Sequence, residues 1–444
     1  MADITPFRAF RYDSKRVPLN RVVTQPYDKI TPAMQDVYYS ASPYNLVRII
    51  LGRSQPDDSG TSNTYSRAAA NFTNWRNESV LVQDQEPSLY RYTQTFRVPG
   101  AAVGRADQEH VELERAGFIG AGRIHDYQDQ VVFRHEQTLS KPKSDRLNLL
   151  RATRAHFGQI FMLYSDPGAS VDSALIDGSD TSQAESCIVD EYGVTHRLWK
   201  ISDPEVLRAI QQKMGDKKLI IADGHHRYET ALNYRNERRT AAGSSDPNAT
   251  YERVMMTFVN MDAPGLVILP THRVVFGLAD FDLSSLLSAA QPYFESTPLD
   301  SSIPLDECLA QLRKSGRDGS SVLVVTRDRK LILRARSGAA DTLLHQYTPD
   351  QRQLDVVQLH KILLERVLGL SEESIRNQEN LSYAREAEEA VARVRDGNAQ
   401  VAFVMNPCRV QQVRDIAFAG GVLPQKSTDF YPKLLSGLTI YSLD

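Results

Sequence analysis

The fold is decided by the stretch Ile220-Ile221-Ala222-Asp223-Gly224-His225-His226-Arg227-Tyr228-Glu229-Thr230, where an apolar run gives way to charged and polar residues. A short apolar run bounded by a turn signal is typical of a buried strand. Gly224 then lets the backbone turn sharply, and residues 227–239 carry a helical pattern. The stretch therefore predicts a strand that delivers a carboxylate, a tight turn and a long helix.

The predicted turn carries residues that suit an anion. The first turn of a helix presents N–H groups without backbone partners at the positive end of the helix dipole. Arg227 adds a planar guanidinium, and His225 and His226 add two imidazoles, so the turn predicts a phosphate cradle. The alternative is structural: Asp223 caps the helix, Gly224 makes the turn and the histidines lie on the surface. Capping alone needs no His-His-Arg run, which favours the binding interpretation.

The same residues are poorly suited to hold a dedicated metal ion. Adjacent helical side chains point about 100° apart, and the four-residue spacing of zinc-binding helices is absent. Mg²⁺ is the more natural ion, because it needs few protein ligands and keeps waters and substrate phosphates. We therefore expect no dedicated metal site, and Mg²⁺ held by Asp223 or another acid together with the phosphates of a substrate.

Outside this stretch, strand-like and helical patterns alternate along the chain. Strands are predicted at residues 46–51, 89–98, 159–164, 254–260, 266–269, 322–325, 331–333 and 401–405, and helices at 65–76, 147–156, 354–370 and 385–395. Such alternation indicates layered helices and sheets, an α/β (α+β) fold. We place a domain border after Gly277, which divides the chain into residues 1–277 and 278–444.

A second polar cluster follows residue 134 and contains candidate phosphate ligands. Lys143 and Arg146 flank a kink at Pro142, and their charges suit phosphate contacts. A solvated basic loop is the alternative interpretation for these residues. Glu136, beside a histidine, is a candidate general base. Asp28 adds a further acid where a predicted strand ends.

A third cluster lies near the end of the sequence. Lys426, Ser427 and Thr428 follow a glycine pair, and two small hydroxyls beside a lysine resemble the chemistry of an anion-binding loop. The Walker A spacing is missing, and no Gly-x-Gly-x-x-Gly run follows a strand. P-loop and Rossmann sites are therefore not predicted.

The composition excludes several classes of protein. With 52 basic and 55 acidic residues, the 444-residue chain has a formal charge of −3. Nucleic acid is therefore not the expected partner, since DNA-binding domains normally present a basic face. No run of about 18 apolar residues exists to span a membrane, and the first residues do not resemble a secretory signal. The cysteines at positions 187, 308 and 408 form no disulfide or zinc pattern, so we expect a cytoplasmic protein.

Several separated motifs resemble those of the prokaryotic family known as domain of unknown function 1015. The matching motifs are Phe7-Arg8-Ala9-Phe10-Arg11-Tyr12, Pro26-Tyr27-Asp28, Asn45-Leu46-Val47-Arg48, Gly117-Phe118-Ile119-Gly120-Ala121, His135-Glu136-Gln137-Thr138, Lys143-Ser144-Asp145-Arg146-Leu147, Ala222-Asp223-Gly224-His225-His226-Arg227-Tyr228, Leu269-Pro270-Thr271-His272-Arg273 and Pro424-Gln425-Lys426-Ser427-Thr428. By this resemblance, which runs along nearly the whole sequence, the chain is identified as a member of that family. One departure is Thr24-Gln25 before Pro26, where a small residue and a proline are expected.

A shorter resemblance implies an activity. Asp223-Gly224-His225-His226-Arg227 resembles the Gly-x-His-Arg type signature of the ParB/sulfiredoxin fold, in which such a loop and helix start bind nucleotide phosphates. One branch of that superfamily phosphorylates free L-serine to O-phosphoserine. The resemblance implies a ParB/sulfiredoxin-like nucleotide-binding core with an additional C-terminal α/β unit. It further implies a kinase that uses ATP or ADP with Mg²⁺ and takes serine or a similar hydroxy compound as its small-molecule substrate.

Site roles follow from this resemblance. The residues expected to hold the nucleotide phosphates are Gly224, His225, His226, Arg227, Lys143, Arg146, Lys426, Ser427 and Thr428. The catalytic candidates are Asp223, His226, Glu136 and Asp28, and one of the three acids would orient or deprotonate the acceptor hydroxyl.

Three other functions stay open. A phosphatase or nucleotidase would use the same cradle with water as acceptor. A nucleotide-gated regulatory protein would bind nucleotide without turning over a small molecule. A sulfiredoxin-like repair enzyme would need a cysteine in the loop, where His225 and His226 stand instead. The sequence gives no indication of an oligomeric state.

Overall fold

The computed structural model describes residues 1–99, 112–136, 140–317, 319–424 and 426–444, without the side chains of residues 140–142. Residues 100–111, which follow the predicted strand 89–98, and Gln137, Thr138 and Gln425 of the motifs above, lie outside the described residues. The strands, in chain order, are β1 Ile4–Thr5, β2 Phe10–Tyr12, β3 Leu81–Gln83, β4 Leu89–Arg97, β5 Glu112–Arg123, β6 Val132–Phe133, β7 Ala155–His156, β8 Ile160–Tyr164, β9 Ser186–Val189, β10 Thr195–Ile201, β11 Leu219–Asp223, β12 Arg253–Asn260, β13 Val267–Leu269, β14 His272–Val275, β15 Phe294–Leu299, β16 Ser321–Val325, β17 Lys330–Ala335, β18 Leu381–Ala384, β19 Val401–Met405, β20 Asp429–Tyr431 and β21 Tyr441–Ser442. The α-helices are α1 Pro32–Ala41, α2 Val47–Ile50, α3 Thr64–Asn77, α4 Ser140–Thr153, α5 Ser170–Asp177, α6 Pro204–Met214, α7 His225–Ala242, α8 Leu283–Ala290, α9 Leu305–Ser315, α10 Pro349–Arg352, α11 Asp355–Gln358, α12 Glu372–Asn377, α13 Ala387–Arg395 and α14 Val410–Phe418. A π-helix, Leu359–Val367, continues α11, and 3₁₀ turns lie at Leu19–Arg21, Tyr27–Lys29, Tyr127–Asp129 and Thr250–Glu252.

The larger sheet has, within the described residues, nine strands. Its order is β6-β11-β8-β12-β5-β4-β10-β9, with β1 also pairing with β5. The pairs β6–β11 and β8–β12 are parallel, and the others are antiparallel. Gly117 lets β5 lie close to β12, because a Cβ at this position would overlap the carbonyl oxygen of Phe258. Since β11 ends at Asp223, helix α7 begins at the end of a strand next to the edge of this sheet.

Two different structures cover the two faces of the larger sheet. Side chains alternate along β11, so that Leu219 and Ile221 enter one core and Ile220 and Ala222 enter the other. The core of Leu219 and Ile221 includes side chains of α5, α6 and α7. The other core includes apolar side chains between positions 430 and 443. We refer to residues 426–444 as the C-terminal segment. It follows the second sheet in the chain and completes the core that contains Ile220 and Ala222, which we call the first core.

The second sheet is antiparallel, with the order β15-β17-β16-β19-β14-β18 in the described part of the chain. One face packs against α8 and the π-helix, and the other packs against α9 and α13. Both sheets thus bury apolar strands under helices, and the mixture of helix and sheet confirms the predicted α/β class. The border predicted after Gly277 falls two residues beyond the end of β14, whose four residues belong to the second sheet.

One predicted strand is a helix in the structure. Residues 46–51 were expected to be extended, whereas Val47–Ile50 form α2. The Asn45 side chain accepts a hydrogen bond from the Val47 N–H at 3.0 Å and so supports the start of the helix. Leu46, Ile49 and Ile50 all enter a core shared with α3. The run is apolar except at Arg48 and is too short to show a clear period, which is why the sequence did not distinguish the two structures.

Candidate functional site

A cavity of about 390 Å³ lies where β11 meets α7. Its walls come from the Tyr27–Lys29 turn, the start of α7, the end of the second sheet near Arg385, and the C-terminal segment. The predicted site residues that line it are Asp28, Glu136, Asp223, Gly224, His225, His226, Arg227, Lys426 and Thr428. The fold therefore gathers three separate sequence clusters around one cavity, which we call the main cavity.

The turn into α7 leaves the helix start without a side-chain cap. Gly224 is the N-cap residue and has φ +94°, a left-handed conformation that favours glycine. Asp223 was expected to cap the helix, but its Oδ1 instead accepts the Gly224 N–H at 2.7 Å, and no side chain caps the first turn of this 18-residue helix. The first-turn N–H groups are thus available to an anion in the cavity.

Arg227 folds back over this turn. Its guanidinium donates to the carbonyl oxygen of Gln159, and its Nη2 lies 3.8 Å from Oδ1 of Asp223. A Cβ on Gly224 would lie 3.0 Å from Nε of Arg227, so only glycine leaves room for this arrangement. The guanidinium is held in place before any ligand arrives.

The His225 imidazole packs inward. It lies edge-on to the His135 ring, with the ring centroids 4.8 Å apart, and its Nε2 accepts the His135 N–H at 3.4 Å. Burial lowers the pKa of both histidines, that of His135 to about 4, so both are neutral at pH 7. His225 therefore offers its backbone N–H, rather than a charged ring, to a ligand.

Thr428 is held by the neutral His135. Nδ1 of His135 lies 2.8 Å from the Ile221 carbonyl oxygen, which can only accept, so Nδ1 carries the proton. Nε2 then accepts from the Thr428 hydroxyl at 2.8 Å. This contact fixes the C-terminal segment against β11 beside the turn.

Lys433 is the centre of a buried ion-pair network beneath the cavity. Its ammonium lies 3.1 Å from Oδ2 of Asp223 and 2.8 Å from Oδ1 of Asp429. Asp429 also pairs with Arg385 at 2.7 Å and with Lys29 at 3.7 Å. The network joins the end of β11, the second sheet and the Tyr27–Lys29 turn.

The network sets the charge of its members. Although burial opposes ionisation, Lys433, Arg227 and Lys29 hold the pKa of Asp223 far below its usual range. Lys433 and its neighbours likewise lower the pKa of Asp429 to about 2. Burial and the neighbouring Lys433 lower the pKa of Lys29 to about 8. Asp223 is thus a permanently charged partner of cations and a poor proton acceptor.

The two other candidate acids are less constrained. Asp28 is exposed in the cavity wall, and within the described residues no hydrogen bond or ion pair engages its carboxylate. Glu136 is half-buried, and its Oε1 accepts the Lys426 N–H at 3.3 Å. Burial raises the pKa of Glu136.

His226 is half-buried in the cavity wall. Burial lowers its pKa, while the charges of Glu229 and Asp28 oppose that shift. The neutral ring is therefore the expected form at pH 7.

Three predicted phosphate ligands do not line the main cavity. Lys143 donates to Oε2 of Glu229 at 2.8 Å. Arg146 donates to the Ile50 carbonyl oxygen at 2.6 Å and stacks on the Tyr27 ring, with Cζ 4.1 Å from its centroid. The Ser427 hydroxyl donates to the Pro424 carbonyl oxygen, and its side chain is buried. Arg146 still supports the cavity through Tyr27.

Sequence reasoning missed four charged residues of the site, Lys29, Arg385, Asp429 and Lys433. Three had a local signal: Lys29 follows the Pro26-Tyr27-Asp28 motif, and Asp429 and Lys433 lie within five residues after Lys426-Ser427-Thr428. Arg385 had none, because only the folding of β18 against β14 brings it to the cavity.

The described residues contain neither a group of side chains placed to hold a metal ion nor a helix suited to cross a membrane. No group of three or more His, Cys, Asp or Glu side chains is placed there to hold a metal ion. Among the helices of the same residues, none combines the length and apolar character needed to cross a membrane.

Comparison with known proteins gives a family and distant structural neighbours. The family model described as protein of unknown function (DUF1015) matches residues 4–357. No curated protein matches the sequence. A conserved hypothetical protein from Pyrococcus furiosus is 11% identical, with a TM-score of 0.33, over 69% of this chain and 92% of that chain.

Two other similar solved structures contain a bound nucleotide. A free serine kinase in complex with AMP is 13% identical over 69% of this chain and 89% of that chain, with a TM-score of 0.33. A mutant of a free serine kinase in complex with ADP is 11% identical over the same shares, with a TM-score of 0.35.

Proposed function

We propose that this chain, which belongs to the DUF1015 family, is a nucleotide-dependent phosphotransferase. The proposal is argued from the residues of the site, because the family description assigns no function. The acceptor is a small hydroxyl compound, with free L-serine, the acceptor implied by the Asp223-Gly224-His225-His226-Arg227 signature, as the leading candidate. The product would then be O-phosphoserine.

The observation that carries this proposal is the start of α7. Its uncapped first turn faces a cavity of about 390 Å³, with Arg227 held over the turn and Lys426 in the cavity wall. Backbone N–H groups at a helix start, with a guanidinium and an ammonium, form the usual combination for binding phosphoryl oxygens. The volume lies within the range of small-molecule sites. We therefore assign the phosphates of ATP or ADP to this turn.

The three acids have different roles. Asp223 holds Lys433 and Arg227, so it positions cations rather than accepting a proton. Glu136, whose pKa is raised by burial, would accept or orient the proton of the acceptor hydroxyl. Asp28 offers an exposed carboxylate without an ion pair in the described structure, which is the donor chemistry that Mg²⁺ prefers.

Mg²⁺ would supply charge neutralisation for the phosphoryl oxygens when bound with the nucleotide. Asp28 is the protein residue that fits this ion, and the nucleotide phosphates would complete its ligands. The chain's own contribution is to hold the phosphates at the helix start and to aim the acceptor at them, which is most of what phosphoryl transfer requires of a protein.

The proposed domains share this work. Residues 1–277 would form a nucleotide-binding core of the ParB/sulfiredoxin-like kind. Residues 278–444 would contribute the wall that contains Lys426 and, through Asp429 and Lys433, the network that holds Asp223 in place.

The direct test incubates the purified protein with Mg²⁺, ATP or ADP, and a panel of hydroxy amino acids, and follows phosphorylated products by mass spectrometry. We expect O-phosphoserine with one of the two nucleotides. Nucleotide binding without product from any acceptor would instead favour nucleotide-gated regulation. Phosphate release without an acceptor would indicate a phosphatase.

A matched pair of variants separates the site from general charge effects. Lys426→Gln should raise the KM for nucleotide by about tenfold or more, since it removes a charge-assisted contact to phosphate. Lys314→Gln, which changes the same charge at an exposed position on α9, should leave the KM unchanged. Equal KM values for both variants would contradict the placement of the phosphates.

A further inference from the structure

A second cavity, of about 520 Å³, lies in the C-terminal half of the chain. It opens between the end of α9, the start of α11 and the loop after β19. Four arginines line it, namely Arg273, Arg313, Arg317 and Arg409. We call it the arginine cavity.

Among the described residues, the lining of the arginine cavity carries more positive than negative charge. Within the described residues, Arg313, Arg317 and Arg409 have no carboxylate within ion-pair distance. The only acidic residue in the described lining is Asp355. Its carboxylate already accepts the Ser321 N–H at 3.1 Å and the Asn406 side-chain N–H at 3.2 Å. A concave surface with this excess of fixed positive charge attracts anions.

Arg273 gives the cavity a rigid buried base. Its side chain is 1% exposed. Its guanidinium donates to the Lys426 carbonyl oxygen at 3.1 Å and to Nε2 of His360 at 3.0 Å. Because these contacts fix the guanidinium, the position of its charge is set before a ligand binds.

One short loop separates the arginine cavity from the main cavity. Ser427 lines the arginine cavity, while Lys426 and Thr428 line the main cavity. Thr271 lies in the walls of both. The backbone that Arg273 holds is thus the same backbone that presents Lys426 to the proposed nucleotide phosphates.

We propose that the arginine cavity binds a second anion, a small molecule bearing phosphate groups. Guanidinium groups match phosphate oxygens with paired hydrogen bonds, and the volume suits a metabolite of nucleotide or sugar-phosphate size. The site is separate from the main cavity and does not depend on the reaction catalysed there. Its position beside Lys426 makes it a site from which a bound anion can change nucleotide affinity.

The test uses inorganic pyrophosphate as the probe, titrated by calorimetry into the full chain. Wild type should bind two pyrophosphate ions per chain. The double variant Arg317→Gln/Arg409→Gln should weaken one of the two binding events by about tenfold or more, while Lys426→Gln should weaken the other. The exposed pair Arg327→Gln/Arg329→Gln, on the β16–β17 turn, changes the same net charge and should bind as wild type does.

The outcome is decided by comparing the two double variants. If Arg317→Gln/Arg409→Gln binds pyrophosphate with the same stoichiometry and affinity as Arg327→Gln/Arg329→Gln, the arginine cavity is not an anion site. Circular dichroism of both variants checks that the comparison is made on folded protein. Since the Lys426→Gln arm reports on the main cavity alone, failure of one site is distinguishable from failure of the other.

Discussion

Among single residues, Lys29 is held in a charged form that its surroundings oppose. Burial and Lys433 lower its pKa to about 8 from an ordinary value of 10.5, although Asp429 partly offsets the shift. The unfolded chain therefore binds this proton more tightly than the folded chain. The free energy of unfolding should rise with pH between about 8 and 10.5, as Lys29 deprotonates in the folded state first.

Replacing Lys29 removes this cost. At pH 7, Lys29→Met should raise the free energy of unfolding, on the order of 2 kcal/mol, because Asp429 keeps Lys433 and Arg385 as partners. The gain should vanish as the pH approaches 10.5. Urea denaturation of both proteins at several pH values measures the difference. A variant that is less stable at pH 7, by an amount independent of pH, would show that Lys29 is a structural ion-pair partner.

Ligand binding explains why the chain retains Lys29 although its replacement should raise stability. Residues that bind ligands are often retained at a cost in stability. Lys29 lies in the wall of the main cavity, where a bound phosphate would supply the negative charge that it lacks. Nucleotide affinity should therefore fall in Lys29→Met while stability rises.

At the scale of elements, β11 and the C-terminal segment are joined through one ammonium group. Lys433 contacts the carboxylates of Asp223 and Asp429 and is 10% exposed. Removing one partner from a buried ion pair leaves an uncompensated charge, which usually costs about 3–5 kcal/mol.

We expect Lys433→Met to lower the free energy of unfolding by about 3 kcal/mol. The double variant Lys433→Met/Asp223→Asn should lose less than the single variant, because Asp223 then carries no charge. Denaturant unfolding of both variants measures the coupling. Equal losses in the two variants would mean that the lysine stem, rather than the ion pair, stabilises the structure.

An element or site residue can be predicted from the sequence when the residues that determine it are close together in the chain. The β11 strand, its turn and α7 were predicted because an apolar run, Gly224 and a helical pattern follow one another directly. Residues 46–51 were predicted wrongly, since a six-residue run with one polar position, Arg48, is too short to reveal its period. Residues near Gly224 were identified as candidates by their clustering. Lys29, Arg385 and Lys433 were not, because only tertiary packing brings them to the same cavity.

For the whole molecule, the C-terminal segment is part of the first core rather than an appendage. Phe430, Leu434, Leu435 and Leu438 pack on the face of the larger sheet that α5, α6 and α7 leave open. Each such residue contributes about 2 kcal/mol by burial. Together they match a large part of the 5–15 kcal/mol by which a typical domain is stable.

A chain ended at Ala419 should therefore fail to fold around the larger sheet, although every described strand of both sheets is still present and only β20 and β21, which pair outside them, are lost. We expect aggregation or a loss of cooperative thermal unfolding, measured by size-exclusion chromatography and circular dichroism. The single variant Leu435→Ala should unfold cooperatively with a loss of about 2–5 kcal/mol. A truncated chain with the melting temperature of wild type would show that the first sheet is stable without this cover.

The return of the C-terminal segment also sets the order of events during protein synthesis. Lys426, Thr428, Asp429 and Lys433 are added to the nascent chain some two hundred residues after Arg227. A ribosome-bound chain that already contains β11 and α7 consequently has half of a binding site. If the site binds nucleotide as proposed, the chain gains this affinity only after residue 433 has left the ribosome, so ligand binding cannot assist the early stages of its folding.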